Sequence, residues 1–264
     1  MTKVDELVAR VSNAYTFHAC LGQETHALAY GHVVRDRSNP DVWMSNAVHG
    51  ATAETPEERA DLFKDVERLF DGYSYRHFIV DPVTPPPLTA ALALDGYDEK
   101  TATLQSVLQG NISRPVPDVT IVPVTTDDDW DTLHALVRLD HEEGERTKGY
   151  PMDQTITRGI VEAYRKKEGP CQFFLAQVDG TACAYGSGIN CPDEIGMVED
   201  LFTLPDFRKR GLASAIITHC VEHVRARGAG PVFIGAHVND TPKDLYHRLG
   251  FEPLFLTRTY FKEL

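Results

Sequence analysis

"EDLFTLPDFRKRGLASAIITHCVEH", residues 199–223, changes character at its centre. It begins as an apolar, strand-like run, passes Arg208, Lys209 and Arg210, and continues as an amphipathic helix over 211–227. Leu212, Ile216 and Cys220 line up with Ala213, Ile217, Val221 and Val224 as one apolar stripe at helical spacing. The turn gathers three positive charges in a chain whose formal net charge is −13. A helix N-terminus carries unpaired N–H groups and a partial positive charge, so cations there are mildly unfavourable unless an anion is held. Gly211 and Ala213 let backbone approach such an anion closely. Arg208, Lys209, Arg210, Gly211, Leu212, Ala213 and Ser214 therefore form a candidate polyphosphate cradle, in which the arginines can add charge-assisted, bidentate bonds. The bland alternative is a solvated charge run at a helix start.

Working outward, "TIVPV" (120–124) reads as a strand, and 127–143 and 154–167 as helices, the first with acidic residues in its opening turn. "QFFLAQV" and "TACAYGSGIN" make a hairpin turned at Asp179-Gly180, and 195–204 is the strand entering the cationic turn. "PVFIGAHV" (231–238), the short helix "DLYHRL" stopped by Gly250, and "LFLTRTYF" follow. The first half shows the later part of this order: strand-like "HALAYGHVV" and "VWMSNAV", a helix at 56–70, strand "RHFIVDP", helix "PPLTAALAL" ended at Gly96-Tyr97, and strand "ATLQSVL". In both halves an aromatic follows the terminating glycine. This is either a diverged internal duplication, the reading adopted here, or a recurrence common among α/β chains. "GNISRPVPDVT" (110–120), with two prolines and a glycine, reads as the linker, placing domains at 1–117 and 118–264. The fold class is α/β with a mixed α+β sheet, in two tandem copies.

Composition excludes several classes of function. Residues 1–118 hold 10 cationic and 17 acidic side chains, and 119–264 hold 16 and 22, so neither half hides a basic nucleic-acid-binding module. No run approaches the roughly 20 apolar residues of a membrane span, and the opening "MTKVDELVARVSNAYTF" does not read as a signal peptide. Five cysteines without a CxxC pair suit a reduced, cytoplasmic setting better than a disulfide scaffold or a cysteine-rich zinc site. His219 and His223 have an i, i+4 spacing but lack the glutamate of H-E-x-x-H, so they read as solvated and no metal is expected. A nucleotide-binding P-loop is disfavoured because the cationic turn lacks the G-K-[ST] ending.

R-x-x-G-x-A follows the strand "EDLFTLP", and "VNDTPKDLYHRLGF" lies downstream, with Asn239, then Tyr246 four positions before Gly250-Phe251. This ensemble resembles the GCN5-related N-acetyltransferase (GNAT) family across residues 119–264. The resemblance implies an acyl-CoA N-acyltransferase fold and an acetyltransferase that uses acetyl-coenzyme A as acyl donor. It also implies that the cationic turn binds the donor's pyrophosphate and that backbone groups of Leu201, Phe202 and Thr203 hold its pantetheine and carbonyl. Tyr246 becomes the general acid for the departing thiolate, its alternative being a core tyrosine. Glu199 is the candidate base, directly or through water; it alternates with Asp200 across the sheet, so one of the two faces the acceptor. Asn239 is a coenzyme or water ligand, or a helix N-cap.

The first half departs from the pattern. "HGATAETPEERADLF" puts Glu54, Glu57 and Glu58 where the cationic turn would stand, and Leu92 takes the place of Tyr246. That copy is expected to be degenerate. The acceptor is expected to be a small-molecule primary amine, with neither nucleic acid nor membrane as partner. Glu142, Glu143 and Glu145 are either lures for a cationic amine or a solvated helix end. A homodimer is compatible with all of this. The rival reading is a non-catalytic acyl-coenzyme A-binding regulatory protein.

Overall fold

A computed structural model describes residues 2–40, 42–113, 117–149 and 152–264. The chain forms two compact units that interleave in sequence. The first comprises Met1–Ser106, Gly235–Lys243 and Pro253–Leu264; the second comprises Val107–Ile234 and Asp244–Glu252. The units therefore do not coincide with an N-terminal and a C-terminal half.

In the first unit, helix α1 (Lys3–Cys20) precedes strands β1 (Glu24–Leu28), β2 (Gly31–Arg35) and β3 (Ala47–His49). Helix α2 (Pro56–Leu69), β4 (Tyr75–Val80), α3 (Pro86–Leu94) and β5 (Asp98–Leu108) follow. Part of the expected strand "VWMSNAV" is a single 3₁₀ turn, Trp43–Ser45. The C-terminal strand of the chain, β11 (Glu252–Glu263), lies antiparallel to β4, from Arg258 opposite Val80 to Glu263 opposite Tyr75. The order in this unit is β1-β2-β3-β4-β11-β5. Val33, Val48, Leu62, Val66, Phe70, Phe78, Leu88 and Leu92 form its core.

The second unit contains β6 (Thr120–Pro123), α4 (Asp127–Lys148), α5 (Gln154–Arg165), β7 (Cys171–Val178), β8 (Thr181–Asn190) and β9 (Gly196–Thr203). Helix α6 (Leu212–Ala226), β10 (Val232–His237) and α7 (Pro242–Leu249) complete the element list. The order here is β10-β9-β8-β7-β6. The pairing scheme repeats that of the first unit. An antiparallel meander, β1-β2-β3 or β7-β8-β9, ends in a strand whose next neighbour, β4 or β10, is parallel to it. A parallel neighbour requires a crossover, and α2 and α6 supply it.

Helix α6 sits close on its sheet because the strands beneath it carry glycine. A Cβ at Gly186 would lie 2.5 Å from Ile216 and 2.6 Å from Leu201, and one at Gly196 2.6 Å from Val224. The alternating glycines of "YGSGIN" thus leave room for the helix rather than weakening the strand.

The described part of the 110–120 stretch is fastened down within the second unit. Ser113 donates N–H to the Leu249 carbonyl at 3.0 Å, and Arg225 donates to the Gly110 carbonyl at 2.8 Å. Arg114, Pro115 and Val116 of this stretch lie outside the described residues, as do Tyr150 and Pro151.

Candidate active site

Strand β9 is regular up to Val198. Gly196, Met197 and Val198 pair with Val232, Phe233 and Ile234 of β10 on one side and with β8 on the other. The strand then bulges. Ser187 opposes Glu199 and Tyr185 opposes Phe202, so Asp200 and Leu201 share the single residue Gly186. Asp200 adopts a left-handed φ of 55°. A bulge adds one residue to one strand and re-aims its side chains. The simple alternation expected of Glu199 and Asp200 is lost for that reason, and the register with β10 goes no further than Val198.

Asp200 Oδ1 accepts the Tyr164 hydroxyl at 2.8 Å, and its buried Oδ2 has no partner among the described residues. Burial and the charge of Asp200 raise Glu199 to about 8, against a smaller opposing effect of Lys167. Lys167 lies over the Tyr164 ring at 5.2 Å. From α4, Asp140 accepts the Tyr185 hydroxyl at 3.0 Å, and burial raises it to about 6. Three carboxylates, two tyrosines and one lysine thus meet around the bulge. Asp140, Tyr164, Lys167 and Tyr185 were not among the sequence candidates. Asp140 had left a signal: it continues the face of Leu133, Leu136 and Val137, a carboxylate where the stripe calls for an apolar residue.

The three glutamates of α4 are occupied internally. Arg138 binds Glu142 at 3.0 Å and Glu145 at 3.1 Å, Glu145 also accepts the Met152 N–H at 2.7 Å, and Glu143 binds Arg208. They hold the helix and its following loop rather than lining a free anionic surface.

Beyond β9 comes a 3₁₀ turn, Pro205–Phe207, and then the cations. Lys209 has φ 60° and Gly211, the N-cap of α6, has φ 86°. Gly211 offers no side chain to cap this helix, and among the described residues no side-chain cap bond is made to the N–H groups of its first turn, Leu212, Ala213 and Ser214. Lys209 and Arg210 are exposed and have no ion pair among the described residues; Arg210 stacks over Phe207 at 5.3 Å. The first unit is built differently. Thr55 caps α2, and the Glu58 carboxylate closes the capping box and also accepts the N–H of Glu54. That helix terminus is already satisfied by an anion of its own.

Tyr246 is buried on α7 with its ring 6.4 Å from Phe251. Asn239 lies in the exposed turn after β10, three positions before the first residue of α7, too early to be its N-cap. His219 and His223 are not simply solvated: both are half-buried, with rings edge-on to Phe174 at 4.6 and 5.0 Å. Among the described residues no group of His, Cys, Asp and Glu could hold a metal ion.

Residues 130–251 match the Acetyltransferase (GNAT) family. This segment, rather than the whole chain, carries the likeness to the GNAT family. An uncharacterized N-acetyltransferase of Methanocaldococcus jannaschii is 33% identical over 88 residues, a stretch covering 30% of this chain and 38% of that protein. The chain therefore spans well under half the length of this curated relative. Among solved structures, a GCN5-related N-acetyltransferase from Kribbella flavida aligns over 97% of this chain and 95% of its own, with 16% identity and a TM-score of 0.72. A tandem GNAT protein from the clavulanic acid biosynthesis pathway aligns over 83% and 73%, with 16% identity and a TM-score of 0.61. These likenesses establish a GNAT fold. The GNAT segment contains the bulged strand, the uncapped helix and Tyr246. No described helix is long and apolar enough to cross a membrane.

Proposed function

We propose that this protein transfers the acetyl group of acetyl-coenzyme A to a primary amine of a small molecule in the cytoplasm, and that residues 1–117 are a degenerate tandem copy. The observation that carries the reading is the strand β9 bulge running into an uncapped, cation-flanked helix. Acetyl-coenzyme A supplies an activated thioester. The amides of 212–214 with Lys209 and Arg210 fit its pyrophosphate, and the backbone of Leu201–Thr203, beyond the register with β10, fits its pantetheine.

Glu199 takes the proton of the acceptor amine, directly or through water, and Asp200 is the alternative. A carboxylate raised to about 8 is a far stronger base than an ordinary one once ionised. Tyr246 gives its proton to the departing sulfur. A thiol-release screen of acetyl-coenzyme A against a panel of amines tests the reading, and coenzyme binding without release by any amine would favour the regulatory rival. On that rival's side stands the burial of Glu199 beside Asp200, which favours its neutral form.

Two expected results follow from these assignments. Coenzyme A should bind at one site per chain, and Gly211→Asp should abolish binding, because it places a carboxylate at the helix N-terminus and a Cβ 2.6 Å from Pro117 in a left-handed turn. Isothermal calorimetry showing two equivalent sites would remove the degenerate-copy reading. The second concerns pH. A carboxylate raised on folding contributes stability that is complete below its unfolded value and lost as pH rises through about 8. Activity should rise across the same interval as the base ionises. Glu199→Gln should abolish that rise and should melt higher than wild type at pH 9, a comparison made by pH-rate profiles and thermal melts.

A further inference from the structure

Arg208 opens the cationic turn, yet its guanidinium is committed elsewhere. Nε donates to the Thr203 carbonyl at 2.9 Å, Nη1 to Glu143 Oε1 at 2.7 Å and Nη2 to Glu143 Oε2 at 2.5 Å. This is a two-pronged bond to a carboxylate whose side chain is only 20% exposed. Glu143 stands on α4 one turn beyond Asp140, which receives the Tyr185 hydroxyl from the sheet. The C-terminal half of α4 is therefore pinned at two successive points, and Arg208 is one of the pins.

We propose that Arg208 is a positioning residue that clamps α4 to the end of β9, leaving the phosphate-binding duty of the turn to Lys209, Arg210 and the amides of 212–214. The proposal rests on the acetyltransferase reading and refines it. To reach a phosphate, the half-exposed Arg208 would give up both prongs of its bond to the half-buried Glu143 carboxylate and its bond to the Thr203 carbonyl. Lys209 and Arg210 face no such penalty, because neither has an ion pair among the described residues to give up. The clamp also fixes Asp140 relative to Asp200, each held by its own tyrosine. The donor turn and the acceptor-side helix are thereby joined through one side chain.

Full-length wild type, Glu143→Gln, Arg208→Lys and their double variant test this first. Lysine keeps the charge but cannot reproduce the planar fork. Amide hydrogen exchange over 141–149 should speed up about tenfold in each single variant, with no further gain in the double, as expected for loss of one shared charged bond. Calorimetry with coenzyme A should give dissociation constants within about twofold of wild type for all of them, while Lys209→Gln with Arg210→Gln should weaken binding at least tenfold, the order expected for lost charge-assisted bonds. A carboxyl NMR titration adds a readout that a passive packing role would not move. Glu143 raises Asp140 and Arg208 lowers it, so Glu143→Gln should shift its midpoint down and Arg208→Gln up. Tenfold weaker coenzyme binding in Arg208→Lys, or unchanged exchange in both single variants, would overturn the proposal. A wild-type protein that binds no coenzyme A would instead defeat the acetyltransferase reading, with the exchange arm still deciding the clamp.

Discussion

Residues 119–264 expressed alone should fail to fold cooperatively, although they contain every candidate catalytic residue. Their last strand, β11, has its partners in the first unit. Arg258–Glu263 pairs with Tyr75–Val80 of β4, and Thr257 and Thr259 bond to Gln105 and Thr101 of β5. Phe261, 3% exposed, stacks on Tyr75 at 5.0 Å and lies 4.2 Å from Trp43. Removing residues 1–118 would leave β11 with bare strand edges and exposed aromatics, the usual template for aggregation. Circular dichroism melts and size-exclusion chromatography check this. A fragment that melts like the full chain and acetylates as fast would show residues 1–118 to be dispensable.

Tyr246→Phe should lower kcat by about 10²–10⁴-fold, the range typical of general acid catalysis, with coenzyme affinity unchanged. The substitution removes one hydroxyl and keeps the buried ring against Phe251, so a folding defect is not expected. Stopped-flow or steady-state rates with an amine from the screen, beside calorimetry, separate the two quantities. An unchanged kcat would reduce Tyr246 to a core residue.

Most elements were legible because their signals are local. The stripe Leu212–Ile216–Cys220 predicts α6, and the Asp179-Gly180 turn predicts the β7–β8 hairpin. Helix α4 extends beyond the expected 143, through Gly144, to Lys148, and ends at Gly149, whose φ is 74°. The contrast between the two helix N-termini was also local: glutamates in "TAETPEE" and cations in "DFRKRG" are visible before any folding.

Legible in the chain alone are the order of elements, the acidic rather than cationic turn in the first half, and the residue types available for chemistry. Three things needed the tertiary structure, because each depends on pairing between distant segments. The bulge at Asp200 arises from its register with β8, and it breaks the alternation that period-two reasoning assumes. The partner of Arg208 is Glu143, 65 residues away, and no spacing rule links a turn to a helix face that far back. The placement of β11 beside β4 joins segments more than 170 positions apart. A strand's own residues encode that it will pair, but the strand it pairs with is chosen by the competition of all exposed edges during folding.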